Sequence, residues 1–473
     1  MTNFTSDFTM TIDGKATPTS TTLPVRNPAT DAVFAQAPDG GQQDLDAAVA
    51  AARRAFPGWA ATPIDERRAA LKRIGAIIND NLQDLARLLV QEQGKPFADA
   101  CGEIGGTAYW AIATSDLELP VDEKEGPYGR IVTRYVPLGV VGGIVPWNFP
   151  IILSMFKIAP ALLTGNTLVI KPSPYTPLTT LKIGELLREA LPPGVLNIIS
   201  GGDALGPLIT AHPDINKISF TGSTETGKRV MASAAANMKR ITLELGGNDA
   251  AIVLPDVDVA AITEKLFWSA FRNSGQICIA TKRIYIHEDI YDQLSASLAA
   301  YATTVNIGDG LEQGVQMGPV QNRAQFEKVK ALIADARRNG LKFLAGGEVD
   351  ETRAGYFLPV TLVDNPPEQA RVVQEEAFGP VLPLLKYRDI DDAIARANAS
   401  PFGLGGSVWS NDIGAAQAVA DRLETGSVMI NGATAPSPLA PFAGHKESGL
   451  GAEGGVDGLL AYTNPKTVTV ARQ

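Results

Sequence analysis

Cysteine is scarce: the 473 residues contain two, Cys101 and Cys278, far apart and in no CxxC or metal-spaced cluster. That excludes a disulfide scaffold and a structural zinc site, and it fits a reducing compartment. No metal is expected. An uninterrupted apolar run is also missing. The most apolar region, residues 139–170, is broken by Pro146, Asn148, Pro150, Lys157, Pro160 and Asn166, so it reads as buried strands and a buried helix rather than a membrane span. The opening MTNFTSDFTM has no basic stretch running into an apolar one and no arginine, unlike a secretory or transit peptide. The expected location is the cytoplasm. Positive charge is not in excess either, since the formal net charge is −10. A nucleic-acid surface needs clustered Lys and Arg to displace phosphate counterions, so neither a nucleic acid nor a membrane is an expected partner. No fixed-period repeat and no low-complexity tract occurs.

What is present is a chain with 45% apolar and 19% charged residues, long enough for two or three domains. From Leu45 to Gln91, apolar residues recur at three- and four-residue steps, a helical pattern. Residues 139–243 alternate short apolar runs with amphipathic stretches (GVVGGIV, PIILSMFKIAPALLTG, TLVIK, LTTLKIGELLREAL, VLNIIS, KISF, RITLEL), a βαβ series and hence a parallel, doubly wound sheet. After Asp249 the alternation restarts with AAIVL, a long helix running through SAFRNSG, then IYIHEDI, FLPVTLV, PVLPLLKY and SVMING. Two outlying strands, residues 128–139 and 466–472, lack an obvious partner in their own domain and are candidates for an oligomer interface. The expected fold is two doubly wound Rossmann-like α/β domains plus a small β oligomerisation element. Its division is 1–118 and 140–247 for cofactor binding, 248–446 for the catalytic domain, and 119–139 and 447–473 for the oligomerisation strands.

Four motifs carry chemistry. In FRNSGQICIA, residues 271–280, Cys278 follows a small polar turn that can expose it, although a lone free cysteine is more often a buried hydrophobe. ELGGND, residues 244–249, sets Glu244 at the end of an apolar strand before two glycines that allow close approach. There it reads as a general base with a raised pKa, or as an ordinary strand-end carboxylate. FTGSTETG, residues 220–227, opens a helix between Gly222 and Gly227, which suits a phosphate on free N–H groups or simply a tightly capped helix start. PWNFP, residues 146–150, holds Asn148 between prolines, as an oxyanion donor or as structural punctuation.

Taken in order along the chain, PWNFP, LVIKPS, FTGSTETG, LELGGND, GQIC, EEAFGP and PFAGHKESGLG resemble the aldehyde dehydrogenase superfamily, from about Pro28 to Lys466. The resemblance implies a small-molecule aldehyde as substrate. It implies Cys278 as the thiolate nucleophile, Asn148 and the Cys278 N–H as oxyanion donors, and Glu244 as the base for the water that hydrolyses a thioester. For the cofactor it implies Lys171 at the adenosine ribose, Ser223 and the helix start from Gly222 to Gly227 at the pyrophosphate, Glu376 on the nicotinamide ribose and Phe378 beside it. Trp147, Ser173 and Leu245 complete that cofactor set. It also implies a homodimer or homotetramer.

The sequence departs from the family pattern at Pro174, where many NAD-preferring relatives carry a glutamate that repels a 2′-phosphate. NADP is therefore admitted; with no arginine nearby to hold the phosphate, NAD is favoured and dual use is allowed. Ala443 and Ala452 replace a usual glycine and arginine. Arg272 stands six residues before Cys278, where semialdehyde-oxidising relatives carry an arginine able to grip a substrate carboxylate through two bonds. A structural role is the alternative, because the second basic residue expected in those relatives is not evident around residues 110–130. A semialdehyde or a broad range of aliphatic and aromatic aldehydes are the expected substrates. The rival functions are a CoA-acylating aldehyde dehydrogenase and a non-catalytic cofactor-binding homologue.

Overall fold

The helical pattern near the N-terminus resolves, in a computed structural model that describes residues 3–472, into three helices, Gln42–Ala61, Ile64–Asp80 and Leu82–Gln93. Their apolar faces, among them Leu45, Val49, Leu71, Ile74, Leu85 and Leu89, are buried in one cluster with the first sheet. A fourth helix, α1 (Phe97–Ser115), packs on α2 (Pro150–Leu163), which is buried along nearly its whole length, as its largely apolar sequence requires.

Five parallel strands form the middle of an eight-stranded sheet: β1 (Val140–Ile144), β2 (Thr167–Lys171), β3 (Leu196–Ile198), β4 (Lys217–Thr221) and β5 (Arg240–Glu244). Their spatial order is β3-β2-β1-β4-β5. The winding reverses between β1 and β4, and the crevice beyond the C-terminal ends of those strands is where open α/β sheets take ligands. PWNFP leaves β1 at that crevice, and Gly222 and Ser223 leave β4 into helix α3 (Thr224–Ala235).

The second sheet has seven strands, in which β6 (Ala250–Val253), β7 (Arg283–His287), β8 (Thr361–Asp364), β9 (Val381–Tyr387), β10 (Gly405–Trp409) and β11 (Ser427–Ile430) run parallel in the order β8-β9-β7-β6-β10-β11. Helices cover both faces, so β6 is apolar throughout: Ile252 packs with Tyr285 and Val408 on one side, Ala251 and Val253 with Ile284 and Trp409 on the other.

The two strands read as lacking partners pair with each other. Gly129–Pro137 and Thr463–Ala471 are antiparallel over nine residues, and Asp122–Gly126 adds a third strand. Sequence separation hid the pair, since the two strands lie more than 300 residues apart. Gly449–Leu450, assigned by sequence to the same terminal element, instead extends the first sheet beside β5. The helix expected to run through SAFRNSG stops at Phe271, closing α4 (Val259–Phe271), because three left-handed residues follow. Among the described residues no helix is long and apolar enough to cross a membrane. Among the same residues no group of three or more His, Cys, Asp or Glu is placed to hold a metal ion.

Candidate active site

The cysteine loop starts from a strained turn. Asn273 (φ 50°), Ser274 (φ 57°) and Gly275 (φ 74°) are consecutive left-handed residues, which for the two non-glycines costs roughly 1–2 kcal/mol each. Hydrogen bonds hold them there: Gln93 Nε2 donates to Asn273 Oδ1 (3.1 Å), Ser274 Oγ to the Gly318 carbonyl (2.8 Å), and the Gln321 N–H to Gln276 Oε1 (2.8 Å). At Gly275 a Cβ would lie 2.4 Å from the Gly379 carbonyl oxygen, so only glycine closes the turn. The turn does not expose the cysteine by being exposed itself, as its polar sequence suggested. Residues 273–276 are buried between the two sheets, and Cys278 is half-buried two residues further on.

Asn148 meets this loop from the other sheet. Its Nδ2 donates to the Gln276 carbonyl at 2.9 Å, and the second amide hydrogen finds no acceptor among the described residues. Its main-chain carbonyl accepts from Lys95 Nζ (3.0 Å) and Asn273 Nδ2 (3.1 Å). Lys95 is fully buried in an ion pair with Glu103 at 2.5 Å and sits over the Phe149 ring. The other Glu103 oxygen accepts the N–H groups of Ile151 (2.8 Å) and Ile152 (3.3 Å), satisfying the open start of α2. Sequence reasoning missed Lys95 and Glu103 because a lysine and a glutamate eight residues apart read as surface charges; no local signal marks them as buried.

Glu244 ends β5, is buried, and has no partner for either carboxylate oxygen among the described residues. Burial holds it in the protonated form, well above the usual carboxylate range. The nearby Glu453 carboxyl reinforces this, and the Lys157 ammonium opposes it. Glu453 itself accepts from Lys157 Nζ (2.8 Å) and Ser219 Oγ (3.1 Å). Burial likewise pushes the Cys278 thiol up to about 12; Lys282 opposes, while Asp249, Glu244 and Glu376 add to it. Burial thus favours the thiol form of Cys278 and the protonated form of Glu244.

The two glycines after Glu244 are contact surfaces. A Cβ on Gly246 would sit 2.5 Å from Glu376 Oε2, and one on Gly247 would sit 2.7 Å from the Cys278 carbonyl oxygen. Glu376 Oε1 accepts the Gly247 N–H at 3.0 Å. Lys328 Nζ donates to the Glu376 carbonyl at 2.7 Å, and Gln325 Nε2 to the carbonyls of Ala377 and Phe378, each at 2.9 Å, anchoring that segment from a helix the sequence reading did not connect to the site.

A cavity of about 180 Å³ at the crevice is walled by Trp147, Asn148, Gly222, Ser223, Leu245, Cys278, Glu376 and Phe378, together with Gln325 and Lys328. Most of the expected site residues thus converge. The rings of Trp147 and Phe378 meet edge to face at 5.5 Å. Glu244, Lys171, Ser173, Gly227 and Arg272 lie outside these walls. Ser223 caps α3, its Oγ accepting the Thr226 N–H at 3.3 Å, while Gly227 is where the helix packs against Leu245, with 2.5 Å left for a Cβ. Ser173 Oγ accepts the Tyr175 N–H at 3.3 Å. Arg272 is more than half exposed and its Nε lies 3.2 Å from Asp99 Oδ1.

A dinucleotide fits these residues. Burial lowers Lys171 to about 8, with Asp203 and Asp39 opposing, and its ammonium makes one long bond of 3.4 Å to the neighbouring Pro172 carbonyl, its other donors having no acceptor among the described residues at the C-terminal end of β2. The capped helix start at Ser223 and Glu376 line the same cavity.

The family model described as "Aldehyde dehydrogenase family" matches residues 15–468. A probable aldehyde dehydrogenase of Pseudomonas sp. is 44% identical over 99% of this chain and 96% of its own length. The succinate-semialdehyde dehydrogenase [NADP(+)] of Escherichia coli (strain K12) is 38% identical over 95% and 94%. Among solved structures, the NAD+ complex of aldehyde dehydrogenase from Bacillus cereus superposes with a TM-score of 0.95 at 36% identity, covering 99% of this chain and 97% of that one.

Proposed function

Because the chain belongs to the aldehyde dehydrogenase family, we propose that it oxidises an aldehyde to its carboxylate, with Cys278 as nucleophile and NAD+ or NADP+ as oxidant. The observation that carries this reading is the convergence of Cys278 and Asn148 on the wall of one cavity, with one Asn148 amide hydrogen unpaired among the described residues. Once the Cys278 thiol has passed its proton to the ionised form of Glu244 or to water, attack of the thiolate on the aldehyde carbon forms a C–S bond and places negative charge on the former carbonyl oxygen. The Asn148 amide and the Cys278 N–H stabilise that charge, and such preorganised donors contribute about 3–4 kcal/mol each. Lys171, Ser223, the start of α3, Glu376, Trp147 and Phe378 would hold the dinucleotide. When bound, it supplies the two-electron oxidant that converts the hemithioacetal on Cys278 to a thioester.

Glu244 then takes a proton from the water that attacks the thioester carbon, and the thiol leaves. That buried carboxyl, which a CoA thiol would not need, favours hydrolysis over the CoA-acylating reading; the cysteine and amide together disfavour a purely binding role. Asp203 and Asp39 beside Lys171 support NAD+ over NADP+, since a 2′-phosphate would meet two carboxylates there. The pairing of Arg272 with Asp99 favours neutral aliphatic and aromatic aldehydes over a semialdehyde acid. The exposed Val468 and Val470 on the three-stranded sheet support a homodimer or homotetramer, and two free cysteines support a cytoplasmic enzyme.

The deciding measurement is NADH formation by Cys278→Ala over a panel of aldehydes without CoA. Activity is expected to vanish while NADH binding, followed by fluorescence, persists. Retained turnover, or turnover of the unaltered enzyme only with CoA, overturns the reading.

A further inference from the structure

Lys282 lies four residues beyond Cys278, at the threshold of β7, where a lysine would ordinarily reach solvent. Its backbone N–H is anchored on the Asp249 carbonyl at 2.9 Å, and its side chain folds back into the protein, where 5% of it is exposed. The ammonium donates to the Cys278 carbonyl at 2.5 Å and to the Ala280 carbonyl at 3.3 Å, and stands 3.8 Å from Glu376 Oε1. Gly247 packs against the same Cys278 carbonyl oxygen, which a Cβ there would approach to 2.7 Å. One buried cation therefore touches the loop that carries the nucleophile and lies 3.8 Å from the Glu376 carboxylate, another residue of the cavity wall.

We propose that Lys282 is a positioning residue for the reaction: its ammonium fixes the Cys278 peptide, holds a positive charge beside the sulfur, and ties Glu376 to the same loop. This rests on Cys278 being the nucleophile. The charged and titratable groups acting on the thiol are Lys282, Asp249, Glu244 and Glu376, of which only Lys282 is a cation. Asp249 is buried with neither oxygen hydrogen-bonded among the described residues, and the short contact of the Lys282 ammonium is with the Cys278 carbonyl instead. Removing the ammonium leaves three carboxyl groups around a sulfur that must become an anion. The Cys278 carbonyl, buried against Gly247, then also loses its donor.

The test compares Lys282→Met, Lys282→Gln and Lys282→Arg by the rate at which iodoacetamide inactivates the cofactor-free enzyme at fixed pH, alongside kcat and KM. While the thiol is mostly protonated, alkylation follows the thiolate fraction, so an upward move of about one pH unit slows it about tenfold. Met and Gln are both expected to slow alkylation about tenfold and lower kcat by a similar factor, with Arg near the unaltered rate. A purely structural hydrogen bond would be kept by Gln, so alkylation of Lys282→Gln at the unaltered rate overturns the proposal. Lys282→Gln decides the matter alone if the Met variant does not fold. Failure of the underlying reading looks different: the unaltered enzyme would keep its activity after Cys278 is alkylated.

Discussion

The Asn148 side-chain amide donates to the main-chain carbonyl of Gln276 across 2.9 Å, a bond between residues 128 positions apart that joins the loop leaving the first sheet to the loop carrying the cysteine. One hydrogen of the amide is thereby spent on alignment, and the other, on a residue that walls the cavity, has no acceptor among the described residues. A donor held this way loses little on meeting an oxyanion, because its orientation is already set before substrate binds.

Asn148→Ala removes both functions. The expected result is a fall in kcat/KM of about 10²–10³-fold, carried mostly by kcat, with cofactor affinity unchanged. A fall of less than about fivefold in steady-state assays would show that the amide does not serve the transition state.

The Lys95–Glu103 pair beneath Asn148 has no exposed atoms on either side chain, so breaking it strands a charge in the interior. Lys95→Met is expected to cost about 3–5 kcal/mol of stability. The double variant Lys95→Met/Glu103→Leu should recover part of that loss in urea unfolding, although the N–H groups of Ile151 and Ile152 remain uncapped. A double variant less stable than either single one would contradict this account.

Glu244 acts as a base only once it has lost the proton that burial and Glu453 favour. The hydrolytic step should therefore accelerate as pH rises through this raised pKa and slow as pH falls below it. Glu244→Gln should give a burst of about one NADH per site followed by turnover lowered at least about 10²-fold, with the pH dependence of that step flattened. Stability has the opposite sign. Above the ordinary carboxylate pKa the unfolded chain ionises while folded Glu244 keeps its proton, so folding weakens with rising pH, and Glu244→Gln should gain on the unaltered protein as pH increases. Parallel stability curves for the two proteins would rule this out.

Arg272 pairs with Asp99 and lies outside the cavity wall. Arg272→Leu is expected to leave the ratio of kcat/KM for a semialdehyde acid to that for a neutral aldehyde within about twofold; a selective loss of about tenfold, or 1.4 kcal/mol, would restore the carboxylate role. Asp99→Asn frees the guanidinium and should move the ratio toward the acid.

Pro174 lies three residues beyond the buried Lys171. Pro174→Glu adds a carboxylate where a 2′-phosphate would approach, so kcat/KM with NADP+ should fall more than with NAD+. Equal losses with the two cofactors would mean that the position does not face the ribose.

Much of this site was legible along the chain because its residues mark where strands end. Asn148, Ser223 and Glu244 follow β1, β4 and β5 in motifs whose prolines, glycines and apolar runs are local signals. The convergence of Asn148, Cys278, Glu376 and Phe378 on one cavity is the tertiary counterpart of those signals. The remaining residues were not legible for a common reason. Lys95, Glu103 and Lys282 are charged side chains that sequence statistics place at the surface, and what buries each of them is a partner from elsewhere in the chain or a carbonyl reached only after the backbone turns. The strands Gly129–Pro137 and Thr463–Ala471 failed in the same way: each was recognised as a strand, but a partner more than 300 residues away leaves no local trace.

The sequence by itself determined the alternating α/β elements, the absence of a disulfide framework and the ordered motifs that name the family, because periodicity, turn chemistry and motif order are properties of neighbouring residues. Only the tertiary structure decided that burial raises the Cys278 thiol, that Glu244 is buried with no hydrogen-bond partner among the described residues, and that Lys282 turns inward to hold the cysteine's carbonyl. Protonation and ion pairing depend on desolvation and on charges a few ångströms away, and those neighbours are chosen by the packing of two sheets rather than by adjacency in the chain.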